Sequence, residues 1–124
     1  MAEILLIEDD AAIRELLKTH MLKAGHTVLE AENGHVGLEM ARQHGPDLIV
    51  LDVNMPVLDG TKTMRSLDAD PKTQSIPVIA LSAMSQTQVR DDMHQLGCDA
   101  FITKPINFDT LCKKVAELTG ASHA

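Results

Sequence analysis

Tryptophan and tyrosine are absent from this sequence, and Phe101 and Phe108 are its only aromatic residues. A flavin site, which needs aromatic faces to flank the ring, is poorly supplied. Cysteine is sparse too: Cys98 and Cys112 stand without metal-ligand spacing. Two such thiols, in a chain whose Met1-Ala2-Glu3 start lacks the zones of a secretory signal, read as reduced and favour the cytoplasm. The six histidines form no paired motif, so a zinc site has little support. No apolar run approaches the roughly 20 residues of a membrane span. Positive charge is short as well. Eleven Lys and Arg against eighteen Asp and Glu leave a net charge of −7, and Lys113-Lys114 is too short a run to count as a basic patch. Direct nucleic-acid binding is disfavoured, whereas a site that collects a divalent cation is well served.

What is present suits one folded domain. The 124 residues are 44% hydrophobic and 23% charged, with no linker, low-complexity tract or repeat dividing residues 1–124. Apolar stretches at Ile4–Ile7, Leu48–Leu51 and Ile76–Leu81, and weaker ones at Thr27–Ala31 and Asp99–Thr103, read as strands. They lack clean alternation, which fits a parallel sheet covered on both faces. Helical spacing fills the gaps. Ile13, Leu16, Leu17 and Met21 mark a first helix ended by Gly25, with Asp10 as its cap, and Asn33 caps a second carrying Val36, Met40 and Ala41. A short third helix lies around Thr61–Leu67. Ser85 caps a fourth with Val89, Met93 and Leu96, closed by Gly97, and Asn107 caps a fifth with Leu111, Cys112, Val115 and Leu118. Five strand–helix units in strict alternation predict a doubly wound α/β fold with flavodoxin-like strand order 2-1-3-4-5.

In such a sheet ligands bind beyond the carboxyl ends of the strands, where strand order reverses. The residues there are Glu8-Asp9-Asp10 after strand one, Asp52 at the end of strand three, Ser82-Ala83 after strand four and Lys104-Pro105 after strand five. Taken singly, an acid after a strand is usually a helix cap, a serine a turn residue and a lysine a solvated charge. Their joint occurrence at the ligand-binding edge points instead to chemistry. Packed carboxylates repel, and Mg²⁺ relieves that through oxygen ligands, which suits Asp9, Asp52 and Glu8, with the Asn54 backbone carbonyl within reach. A carboxylate such as Asp52 attacks a phosphoryl group to form an acyl phosphate. Lys104 offers countercharge and Ser82 a hydroxyl donor for the equatorial oxygens.

These residues resemble the response-regulator receiver domains of two-component systems, of the CheY-like kind. The resemblance spans nearly the whole chain and rests on Glu8-Asp9, on Asp52-Val53-Asn54-Met55-Pro56 with Asp59-Gly60, on Ser82-Ala83 and on Lys104-Pro105. It implies that a sensor histidine kinase or histidine phosphotransfer protein phosphorylates Asp52 with Mg²⁺, and that Lys104 contacts the phosphoryl group before a cis proline. It further implies that Ser82 moves toward that group while Phe101 rotates inward, signalling to a protein target through the fourth helix, fifth strand and fifth helix. On this reading the chain is a phosphoacceptor rather than an enzyme in its own right, apart from self-catalysed phosphotransfer and dephosphorylation. Glu8 stands where the family more often has Asp, Ser82 where Thr is commoner, and Phe101 where Tyr is common. Asn54 and Met84 are placed to tune phosphoryl loss.

Other readings fit less well. A topoisomerase-like metal site needs Asp-x-Asp after strand three, and Asn54 breaks it. A haloacid-dehalogenase phosphatase needs a nucleophile and a second Asp after strand one, and greater length. Three acids after strand one would repel a flavin phosphate. A purely structural interaction module would not need the whole residue set. Met1 leading straight into the first strand, and the short tail after the last helix, favour a stand-alone, monomeric regulator over a receiver cut from a longer protein.

Overall fold

A computed structural model of the chain describes residues 2–53, 60–83, 91 and 93–120. They comprise β1 (Glu3–Ile7), α1 (Ala11–Lys23), β2 (Thr27–Ala31), α2 (Gly34–His44), β3 (Leu48–Asp52), α3 (Gly60–Ala69), β4 (Val78–Ala83), β5 (Ala100–Lys104) and α4 (Phe108–Thr119). The strands form a five-stranded sheet in the order β2-β1-β3-β4-β5. Every pairing is parallel. This is the doubly wound architecture that the alternating pattern predicts.

Residues of the central strands divide between two cores. Leu5, Ile7, Ile49, Leu51 and Ala80 pack with Ala41, Met64 and Leu67 on the side of α2 and α3. Ile4, Leu6, Leu48, Val50, Ile79 and Leu81 pack with Leu17, Met21, Leu111 and Val115 on the side of α1 and α4. Both faces of these strands are dry, so apolar residues run on without alternation. Close packing extends to the backbone at Gly37. A methyl group there would run into the Ile7 side chain, so α2 lies against β1 only because this residue lacks a Cβ.

The helix starts are those the caps predict. Asp10 accepts from the Ala12 and Ile13 N–H groups at 2.9 and 3.1 Å. Asn33 and Asn107 do the same for Val36 and Thr110, at 2.9 and 3.1 Å. Several boundaries differ from expectation. Strand β4 begins at Val78 rather than Ile76, because the Ile76 N–H closes a turn onto Thr73 and Pro77 has no N–H to give a ladder. Helix α3 is longer than expected at both ends. Of the expected fourth helix, residues 91 and 93–95 are helical and Gly97 follows with a left-handed φ of 96°. Its cap Ser85, with Val89, lies outside the described residues, as do Asn54 and Met84. The expected fifth helix is α4.

Candidate functional site

The strand order reverses between β1 and β3, and the register there places the site. Ile7 pairs with Leu51, so Glu8 falls on the next rung, beside Asp52. The Glu8 N–H continues the ladder to Ala31 at 3.0 Å. Both acids are enclosed: Glu8 is 1% exposed and Asp52 3%. Asp9 leaves the sheet and is exposed. One carboxylate oxygen from each of Glu8, Asp9 and Asp52 lies within 4.8 Å of the other two. Lys104 Nζ donates to Asp52 Oδ1 at 3.1 Å. Since β4 separates β5 from β3, roughly 10 Å must be crossed, a span that suits a long side chain passing the end of the intervening strand.

Charge in this cleft is unbalanced. Glu8 Oε2 accepts from the Asp10 N–H at 3.1 Å. Glu8 Oε1 is buried with no hydrogen-bond partner among the described residues. Burial, and then the Asp52 carboxyl beside it, push Glu8 up to about 8 from its ordinary 4.5. The metal-free site therefore tends to hold a proton where a cation of higher charge would serve better. Three neighbouring carboxylates, together with an orphaned Glu8 oxygen, are the donor chemistry of a hard divalent ion such as Mg²⁺. The donor set fits.

Around this centre the remaining expected residues fall as follows. Ser82 is fully buried near the carboxyl end of β4, one residue beyond Leu81, which pairs with Asp52. The Lys104–Pro105 peptide bond is cis. Phe101 is half-buried against the core on the α2–α3 side. It also lines a 420 Å³ depression with Asp91, His94, Asp99 and Lys114. Sequence reasoning missed Arg14, whose Nη1 donates to the Glu8 carbonyl at 2.7 Å. A signal existed: Arg14 is the fourth residue of α1, where a cation opposes the helix dipole and so calls for a partner.

The response regulator receiver domain family matches residues 4–116 of this sequence. The chain belongs to that family. Receiver domains accept phosphoryl groups from histidine kinases and act on downstream targets. Among curated relatives, protein PilH of Pseudomonas aeruginosa is 36% identical over 115 residues, covering 93% of this chain and 95% of PilH. The DNA-binding dual master transcriptional regulator RpaA of Synechocystis is also 36% identical, over 95% of this chain but 49% of its own length. Among solved structures, the receiver domain of the sensor histidine kinase PA1611 from Pseudomonas aeruginosa superposes with a TM-score of 0.88 at 27% identity. That match covers 96% of this chain and 98% of the other, which has a magnesium ion coordinated in its active-site cleft. In this receiver domain no helix among the described residues is long and apolar enough to cross a membrane.

Proposed function

We propose that residues 1–124 act as one receiver unit in which Asp52 accepts a phosphoryl group from a phosphohistidine on a sensor histidine kinase or histidine phosphotransfer protein. The observation that carries this is the pairing of Asp52 with Lys104 at 3.1 Å inside a cluster of three convergent carboxylates. One Asp52 oxygen forms the new P–O bond while the donor's N–P bond breaks, and the leaving imidazole keeps the electron pair and takes up a proton. Glu8, Asp9 and Asp52, with the Asn54 backbone carbonyl, are the residues that would hold Mg²⁺, which when bound supplies countercharge to the phosphoryl oxygens. Lys104 neutralises a second oxygen, and the Ser82 hydroxyl donates to a third. Water later attacks phosphorus, restoring the Asp52 carboxylate and releasing phosphate.

Output follows from the new charge. Ser82 draws toward the phosphoryl group, and Phe101 packs inward from the rim of its depression. The surface formed by the expected fourth helix, β5 and α4 then engages a downstream protein, and the regulator works in the cytoplasm as a monomer. Incubation with Mg²⁺ and phosphoramidate should give one phosphoryl group per chain, labile to hydroxylamine as an acyl phosphate is. Asp52→Asn should remove it. Undiminished labelling in that variant would overturn the assignment.

A further inference from the structure

We infer that Arg14 is a positioning residue for the acid cluster: anchored by Glu30, it locks the Glu8–Asp9 peptide unit and so preorganises two of the three carboxylates. The inference rests on the metal-binding reading of Glu8, Asp9 and Asp52 given above.

The contacts form a chain across three elements. Arg14 Nη1 donates to the Glu8 carbonyl at 2.7 Å. The Nε of the same guanidinium donates to Glu30 Oε1 on β2 at 3.3 Å. Lys18, one turn further along α1, pairs with the other Glu30 oxygen at 3.2 Å. Glu30 is thus held by two cations, and Arg14 is fixed at two points of its planar fork. The preceding peptide unit is held as well, because the Glu8 N–H donates to the Ala31 carbonyl at 3.0 Å. The Glu8 side chain is tied to the Asp10 N–H at 3.1 Å. Between Glu8 and the Asp10 cap stands only Asp9, whose carboxylate must leave the sheet at the angle that brings it to Glu8 and Asp52. The peptide plane that Arg14 grips sets that angle.

A bland alternative exists: Arg14 could act only as a nearby positive charge. The two roles make opposite predictions for Mg²⁺. A bare cation next to an acidic site repels a second cation, so removing it should tighten metal binding. A tether preorganises ligands, so removing it should weaken binding, and groups that orient metal ligands commonly contribute about tenfold or more in affinity. Arg14 has a side chain 19% exposed, and its hydrogen bonds among the described residues go to Glu30 and the Glu8 carbonyl rather than to a carboxylate of the cluster, which favours the tether.

Isothermal titration with Mg²⁺ decides between them, using wild type, Arg14→Met, Arg14→Lys, Glu30→Gln and the Arg14→Met/Glu30→Gln double variant at one pH. The tether predicts that Arg14→Met raises the Mg²⁺ dissociation constant about tenfold. Arg14→Lys should not restore it, since one ammonium lacks the fork that engages both partners. The double variant should bind no more weakly than Arg14→Met, because both changes cut the same chain of contacts. Backbone amide exchange at Asp9 and Asp10 should speed up in the metal-free Arg14→Met protein. Equal or tighter Mg²⁺ binding by Arg14→Met, or wild-type affinity in Arg14→Lys, overturns the inference while leaving the metal site intact. Absence of Mg²⁺ binding by wild type overturns the site itself and the tether with it. Should Arg14→Met not fold, Arg14→Lys and Glu30→Gln carry the test: a fall in affinity in both supports the tether, and wild-type affinity in either overturns it.

Discussion

The two ends of the sheet both gather acids, and they use them in opposite ways. At the amino end, Asp47 Oδ2 accepts from the Glu3 N–H at 2.8 Å while the Asp47 N–H donates to the Glu3 carbonyl at 2.8 Å. Asp99 and Val78 repeat that reciprocal ring at 2.9 Å in each direction. Each acid there meets a backbone donor and stitches the start of one strand to its neighbour. At the carboxyl end, Glu8, Asp9 and Asp52 meet one another instead, with Lys104 on one oxygen of Asp52 and Glu8 Oε1 buried without a donor among the described residues. Identical side-chain chemistry thus closes one end and leaves the other charged and ready for a cation. A backbone N–H reaches Glu8 as well, at Oε2, but leaves its other oxygen facing the cluster unmatched among the described residues.

The strongest way to break that contrast is Asp52→Asn. Phosphoryl labelling should vanish, yet metal-free stability measured by urea unfolding should not fall, because the change also relieves the repulsion at Glu8. A clear loss of stability would mean that the carboxyl end, too, is built for holding the fold. Next comes pH. Glu8 is raised in the folded protein to about 8 from 4.5, so the native state binds more protons than the unfolded one between those values. Its contribution is fully present below pH 4.5 and is lost as pH rises through about 8. In chelator, stability should therefore decline across that window by up to about 1.4 kcal/mol per pH unit. Glu8→Gln should flatten the decline, and saturating Mg²⁺, which keeps Glu8 ionised in the folded protein, should abolish it. A pH-independent stability in chelator would rule out the charge imbalance.

Much of this arrangement was readable in the residues. The runs around Leu5, Val50 and Ile79 are apolar without alternation because two cores claim their two faces, so strand identity and parallel pairing followed together. Asp10, Asn33 and Asn107 marked helix starts because few other side chains accept from the second or third N–H of a helix. The acids, Ser82 and Lys104 were visible as a set once the strand order put their strand ends side by side. Less visible were features that depend on side-chain geometry. Nothing in the local sequence says that Glu8 would bury one oxygen with no donor among the described residues, or that Glu30 would aim Arg14 at a carbonyl. The retreat of β4 to Val78 turned on a single proline, and it moved the strand's start without moving its functional end.

At the amino end, Asp99→Ala should leave phosphoryl labelling unchanged and cost about 1–3 kcal/mol of stability, because the N–H of Val78, itself 1% exposed, would lose its acceptor. Equal unfolding midpoints for this variant and wild type would show that the reciprocal ring contributes nothing.

The smallest expected effect also separates the two ends most cleanly. His26 is 6% exposed, and its Nδ1 accepts from the Ala2 N–H at 3.1 Å, so the ring must be neutral with its proton on Nε2. Burial holds it below its ordinary 6.5. The unfolded chain then binds the extra proton first, so stability is present above pH 6.5 and is lost as pH falls through the depressed folded value. That slope is opposite in sign to the one Glu8 imposes, and in wild type the two partly cancel near pH 6. In a Glu8→Gln background the His26 contribution should emerge as a shallow loss of stability on acidification from pH 7 to pH 5. Adding His26→Asn, which keeps an acceptor but cannot titrate there, should reduce that loss. If the loss survives undiminished, His26 is not the group that closes the amino end, and the contrast between a satisfied end and a charged one must rest on Asp47 and Asp99 alone.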